Sequence, residues 1–144
     1  MIKIELENNT KRAIEVLNRI PEFDGTLIES GINNRLINSP VILVALHNNK
    51  AIGCKVGYDR FSDGSFYSWV GGVIPEFRKQ GIAQMLNSRM EEIAKEKGYT
   101  SIVFKTRNKF IPMLQFALKN GYQVVGFEKK KQVSENRIIL KKKL

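Results

Sequence analysis

Residues 69–83 read Trp69-Val70-Gly71-Gly72-Val73-Ile74-Pro75-Glu76-Phe77-Arg78-Lys79-Gln80-Gly81-Ile82-Ala83, a strand that passes through a turn into a helix. Pro75 ends the strand because it has no N–H to give to a ladder. The helix begins with small residues, Gly81 and Ala83, which let a ligand approach the backbone closely. The first N–H groups of a helix have no internal partners and point outward at the positive end of its dipole, which suits a phosphate. Arg78 and Lys79 add positive charge at that mouth. On residue types alone the segment stays open between a phosphate-binding turn and an ordinary strand–helix junction with a basic turn.

Nucleophilic and metal chemistry find little support in the rest of the chain. Cys54 is the only cysteine, so no intrachain disulfide can form and cysteine-rich zinc sites are excluded. It sits mid-strand with Ile52 and Val56 and reads as a small core residue. His47, the only histidine, stands beside Asn48-Asn49 and reads as a solvated turn residue. No cluster of His, Asp and Glu has metal-ligand spacing, so no metal is expected.

Apolar periodicity supplies the elements that must hold the 69–83 segment in place. Strands are expected over 2–7, 41–46, 51–58, 65–74, 101–106, 122–128 and 136–142. Helical spacing covers 10–20, 26–37, 80–97 and 109–120, with Pro21, Pro40 and Gly98 as stops. The order is β-α-α-β-β-β-α-β-α-β-β. Three antiparallel strands followed by a β-α-β crossover imply an α/β (α+β) fold with a mixed sheet and helices on both faces. No linker or repeat divides the chain, so residues 1–144 are expected to form one domain.

Arg78-x-x-Gly81-x-Ala83 resembles the Arg/Gln-x-x-Gly-x-Gly/Ala signature of the GNAT acetyltransferases, and Val73-x-Pro75-x-x-Arg78 is similar to that family's strand exit. The element order, through Asn108 and the helix closing at Asn120-Gly121-Tyr122, extends the resemblance over the whole chain. It implies a mostly antiparallel sheet whose fourth strand is bulged, here at Gly71-Gly72, and splayed from the fifth. It implies acetyl-CoA as acyl donor, with the pantetheine arm in the gap and paired with the backbone of Val73. By the same resemblance Arg78 and the N–H groups of Lys79, Gln80, Gly81, Ile82, Ala83 and Gln84 hold the pyrophosphate. The implied reaction is direct attack of a primary amine on the thioester.

That reaction needs a neutral amine, a polarised carbonyl and a proton donor for the leaving thiolate. The resemblance gives the Val73 amide to the oxyanion. The tyrosine that the family often places on the helix after the fifth strand is absent: 111–118 reads Ile-Pro-Met-Leu-Gln-Phe-Ala-Leu, and Phe116 cannot donate a proton. Tyr122 reads as a packed aromatic. Asn108 is open between a pantetheine or donor-positioning role and a helix N-cap, and one residue can serve both. Thr106, Arg107 and Lys109 flank it, within reach of the adenosine phosphates. Residues 66–69 contain no carboxylate, so Tyr67, Ser68 and Trp69 are expected to shape the acceptor pocket and no base is named. Glu22, Asp24 and Glu29 lie where the family covers its acceptor site and are expected to bind a cationic amine.

The chain has 144 residues, 42% hydrophobic, enough for one core, and no apolar run of membrane-spanning or signal-peptide length. A cytoplasmic, soluble protein is expected. Lys+Arg 24 against Asp+Glu 14 gives a net charge of +10, which attracts polyanions. The clusters 129–131 and 141–143 read as a solvated strand end and a tail. Two other classes compete: a non-catalytic acyl-CoA-binding protein, favoured by the missing tyrosine, and a nucleic-acid-binding module, favoured by the charge. Against the latter, no signature interleaves basic and aromatic residues. The acceptor is a small-molecule or peptide amine that the sequence does not name, and the family's frequent dimers make a homodimer one assembly open to the chain.

Overall fold

Of the seven residues Val41–His47, the first six are buried, as befits a strand covered on both faces. In the computed structural model, which describes residues 1–23, 29–36 and 38–144 and only the backbone of 29 and 30, this run is the second strand of a seven-stranded sheet. The strands are Ile2–Glu7 (β1), Val41–His47 (β2), Lys50–Tyr58 (β3), Ser65–Val73 (β4), Ser101–Arg107 (β5), Gln123–Glu128 (β6) and Arg137–Lys143 (β7). Helices Lys11–Leu17 (α1), Glu29–Arg35 (α2), Ile82–Glu96 (α3) and Ile111–Lys119 (α4) complete the expected element order. The sheet order is β1-β2-β3-β4-β5-β7-β6, and among the described residues β4–β5 is the only parallel pair.

Each face of the sheet has its own cover. Ala13, Val16 and Leu17 of α1 are buried against the face that carries Cys54, whose thiol donates to the Ala13 carbonyl at 3.6 Å. On the other face α3 buries Ile82, Leu86, Met90 and Ile93, spaced four, four and three apart along one side of the helix. The parallel crossover β4–α3–β5 therefore carries the chain from the end of β4, over the sheet, back to the start of β5.

β4 and β5 stay together only briefly. Their register runs Ser65↔Ser101, Phe66↔Ile102 and Tyr67↔Val103, and β4 continues for six more residues without β5 beside it. The splay expected from the resemblance is thus present, but its bulge is not at Gly71-Gly72. Val56 faces Val70 while Gly57 faces Ser68, so the extra residue of β4 is Trp69. The two glycines keep regular register opposite Lys55 and Cys54 because their neighbours crowd them. A Cβ on Gly71 would lie 2.6 Å from the Cys54 carbonyl oxygen. Tryptophan can leave the ladder, since its ring packs outside it against Tyr58, 6.0 Å between centroids.

The same crowding yields a stability contrast. A Cβ on Gly57 would meet the Phe66 ring at 2.6 Å and the Tyr67 carbonyl oxygen at 2.7 Å, whereas one on Gly72 would meet the mobile end of Ile20. Gly57→Ala is expected to cost about 2 kcal/mol of unfolding free energy and Gly72→Ala less than ~1 kcal/mol. Urea denaturation of both variants checks this, and equal losses would contradict it.

Candidate functional site

The gap between β4 and β5 leaves backbone groups without a strand to pair with. Ile74 N–H donates to the Ile52 carbonyl at 2.9 Å, so by antiparallel alternation Gly53 and Val73 form a non-hydrogen-bonded pair. The peptide groups of Val73 therefore point away from β3 and into the gap. Two residues earlier the same alternation applies to Gly71, opposite Lys55. A wall of peptide donors and acceptors lines the splay, and any extended chain of amides can pair with it.

At the open end of that wall the chain makes the 3-10 turn Pro75–Phe77 and then the start of α3. Lys79 and Gly81 are left-handed, with φ of 64° and 81°, and Gly81 is the N-cap. The first bond of the helix runs from Met85 N–H to the Gly81 carbonyl, 3.1 Å. The N–H groups of Ile82, Ala83 and Gln84 thus precede the ladder and face outward. A Cβ on Gly81 would meet nothing within 4 Å, so the space in front of this turn is open. Lys79, Gln80, Gly81, Ala83 and Gln84 are exposed around it, while Ile82 anchors the turn in the core.

Arg78 and Glu22, expected at the cofactor and the acceptor respectively, are joined. The guanidinium of Arg78 donates through Nε to the Val73 carbonyl at 3.0 Å and through both terminal nitrogens to the two Glu22 oxygens, each at 2.8 Å. Arg78 holds the Glu22 carboxyl below the ordinary carboxylate range. Both side chains are well exposed, at 38% and 47%, so the pair adds little net stability. Its effect is positional: it ties the segment after α1 to the exit of β4. Asp24 lies outside the described residues, as does the side chain of Glu29.

Of the expected acceptor residues, Tyr67 and Trp69 come together through Tyr58 on the α1 face, while Ser68 turns to the other face by strand alternation. Tyr67 and Ser68 are buried and Trp69 is half-buried. Tyr58 stacks edge-on against both Tyr67 and Trp69, with centroids 5.7 and 6.0 Å away. Two guanidinium groups that sequence reasoning missed lie over these rings, Arg35 5.2 Å from Trp69 and Arg60 4.9 Å from Tyr67. Burial pushes the Tyr67 hydroxyl above its usual pKa, against the pull of Arg60 and Arg137. Arg35 comes from α2, far from Trp69 in sequence, and Arg60 sits in the β3–β4 loop, where no strand or helix periodicity relates it to the ring of Tyr67.

The remaining candidates have defined partners. Asn108 is not the N-cap of α4, which is Phe110; its side-chain amide donates to the Val133 carbonyl at 3.3 Å and its N–H to the Asn136 carbonyl at 2.8 Å. It ties the end of β5 to the β6–β7 loop. Arg107 and Lys109 both pair with Glu135, at 3.2 and 2.6 Å. Tyr122 is a packed aromatic, donating to Glu91 at 3.0 Å, and burial beside that carboxylate pushes its pKa up. Burial pushes the Cys54 thiol up to about 12, so it is no nucleophile at neutral pH. His47 is not a solvated turn residue: it ends β2, with its ring 5.1 Å from that of Phe77 and Nδ1 buried. Among the described residues no group of His, Cys, Asp and Glu could hold a metal ion.

Lys55 is the residue the sequence pass overlooked, although it is the one charge inside the apolar run Ala51–Tyr58. It stands opposite Gly71, and its stem occupies the space that a side chain there would need. It keeps some solvent contact and no hydrogen bond or ion pair with any described residue. Burial pulls its pKa from 10.5 down to about 8. The folded state therefore binds fewer protons than the unfolded one between about pH 8 and 10.5, and stability gains from this group as pH rises through that window. Lys55→Met should raise the melting temperature at pH 7 and narrow its advantage over wild type toward pH 10. An advantage that does not change with pH would contradict the assignment.

Comparison with known proteins follows the geometry. Residues 9–122 match the sequence pattern of the acetyltransferase (GNAT) family. No curated protein matches the chain. Among solved structures, a GNAT family acetyltransferase from Elizabethkingia anophelis with acetyl-CoA bound is similar at a TM-score of 0.81, with 22% identity over 99% of this chain and 98% of that one. A ribosomal-protein-alanine N-acetyltransferase from Escherichia coli reaches 0.84 with 13% identity over 99% and 94%. A Bacillus subtilis acetyltransferase in complex with CoA reaches 0.80 with 16% identity over 100% and 99%.

Proposed function

We propose a reaction from one established premise: the chain belongs to the GNAT acetyltransferase family. It transfers an acetyl group from acetyl-CoA to a primary amine by direct attack. The observation that carries this reading is the run of gap-facing peptide groups at Gly71 and Val73, of which only the Val73 carbonyl has a partner, Arg78, continuous with the outward N–H groups of Ile82, Ala83 and Gln84. A pantetheine arm has two amides to pair with the first set, and a pyrophosphate suits the second. The acetyl-CoA and CoA complexes among the similar structures support the same ligand.

Direct attack is favoured because the one thiol is buried and protonated, which leaves no acyl-cysteine route. In this reading the Val73 N–H, aimed into the gap, stabilises the oxyanion as the tetrahedral carbon forms. The attacking nitrogen gives up its extra proton to solvent, the C–S bond breaks, and the thiolate takes a proton. Lys55 is the donor we favour, since it lies beside Gly71 and its pKa of about 8 allows it to release a proton near neutral pH. Arg78 serves by holding the Val73 carbonyl, and so the orientation of that peptide group, rather than by meeting phosphate with a free guanidinium.

The pyrophosphate assignment is tested by Gly81→Asp against Gly81→Asn. Both carry the same left-handed strain at φ 81°, and only one adds a negative charge. In calorimetric titration with acetyl-CoA the Asp variant should bind at least roughly tenfold more weakly than the Asn variant, ~1.4 kcal/mol. Equal affinities would remove the turn from the site. Thiol release on a panel of primary amines checks the transfer itself; tight acetyl-CoA binding with no release on any amine would favour a non-catalytic binding protein.

A further inference from the structure

Among the described residues, the acceptor side of the gap carries arginines, and the carboxylates around it have partners. Arg60 leaves the end of β3 and lies over Tyr67 at 4.9 Å and Phe61 at 5.4 Å. Arg35 of α2 covers Trp69. Arg137 opens β7, on the far side of β5, and is near enough to Tyr67 to favour its ionised form. It also lines a concavity of about 280 Å³ with Arg107, Lys130, Lys131, Gln132 and Glu135. Arg60 and Arg137 form no ion pair with any described residue.

Among the described residues, the carboxylates near this face already have cationic or hydrogen-bond partners, and Glu128 stands opposite Arg137 in the β6–β7 ladder. Glu135 is shared by Arg107 and Lys109, Glu128 holds Lys105 at 2.8 Å, and Glu22 holds Arg78. Asp59, next to Arg60, accepts from the Ser62 N–H at 2.9 Å and from the Tyr99 hydroxyl at 3.0 Å. A simple ammonium substrate would enter against this field. An amine that also carries an anion would be drawn in, with its negative end toward the arginines.

We infer that the acceptor is an amine bearing an anionic group, a carboxylate or a phosphate, and that Arg60, stacked on Tyr67, receives that group with help from the charge of Arg137. A guanidinium donates two parallel hydrogen bonds to either anion, and stacking on the Tyr67 ring holds the Arg60 fork in plane. The same cations disfavour a second positive charge nearby, so they bias the incoming amine toward its neutral, nucleophilic form. The proton that the amine loses passes to solvent, since a guanidinium cannot accept it. The inference replaces the expected acidic, cation-binding entrance with a basic one and rests on the acetyl-transfer reading above.

Three bisubstrate conjugates test it, each with CoA sulfur joined through a CH2–CO bridge to an amine: phenylalanine, phenethylamine, or 2-aminoethyl phosphate. Calorimetric titration should show the phenylalanine or the phosphate conjugate binding roughly tenfold or more tightly than the phenethylamine one. The tighter of the two names the anion. Arg60→Gln and Arg137→Gln, both at the surface, should remove that preference and leave the phenethylamine conjugate unchanged. Equal affinity of all three in the wild-type protein would overturn the anionic acceptor while leaving the CoA site standing. Failure of every conjugate to bind would overturn the acetyl-transfer reading, and this inference with it.

Discussion

Everything in the candidate site follows from a pairing that stops. After Tyr67↔Val103, β4 and β5 separate, and the peptide groups of Gly71 and Val73 are left without the ladder bonds that the interior of a sheet normally demands. A sheet tolerates such an interruption only where something else satisfies the groups. Arg78 does so for one of them, folding back to the Val73 carbonyl. The bulge at Trp69 sits two residues beyond the last paired position and adds local twist to β4 where it leaves its neighbour. Gly71 keeps the lane next to it clear for the Lys55 stem. The gap is thus built from a bulge, a glycine and an arginine, each needed because the parallel pair is so short.

Much of the fold was legible because it rests on local signals. Ile82, Leu86, Met90 and Ile93 mark one face of α3, Pro75 marks the end of β4, and the apolar run at 41–46 marks a doubly covered strand. These depend on periodicity and on residue chemistry that acts within a few positions. The phosphate-type turn was legible for the same reason, since Gly81 and the start of a helix are neighbours in sequence. What could not be read is whatever depends on register. Two glycines suggested a bulge, but they answer to crowding by Cys54 and Ile20 from other elements, and the extra residue is the bulky Trp69. Asn108 has the residue type of a cap, yet α4 starts too late for it to act as one, and the β6–β7 loop takes its side chain.

Charge shows the limit of reading a sequence by local composition more sharply. Glu22 sits in an acidic segment and suggests a cationic acceptor, whereas Arg78, 56 residues away, claims both of its oxygens. Arg60 reaches Tyr67 from the β3–β4 loop, whereas Arg35 reaches Trp69 only through the placement of α2, and the charge of Arg137 is felt at Tyr67 only through the sheet order. The excess of +10 is therefore more than a solvated tail. Part of it surrounds the turn before α3, and part lies about the rings of Tyr67 and Trp69. A donor and an acceptor that both carry negative charge fit that distribution, with the neutral amine and the thioester meeting between them.

The account stands on the claim that the unpaired backbone of β4 and the first turn of α3 together form one binding surface for acetyl-CoA. Amide hydrogen exchange, resolved by residue in the free protein and with saturating acetyl-CoA, tests that claim most directly. The account predicts new protection at Gly71 and Val73 and at Ile82, Ala83 and Gln84, with the already paired strands β1 and β2 unchanged. Binding that leaves those five amides exchanging as before would contradict it.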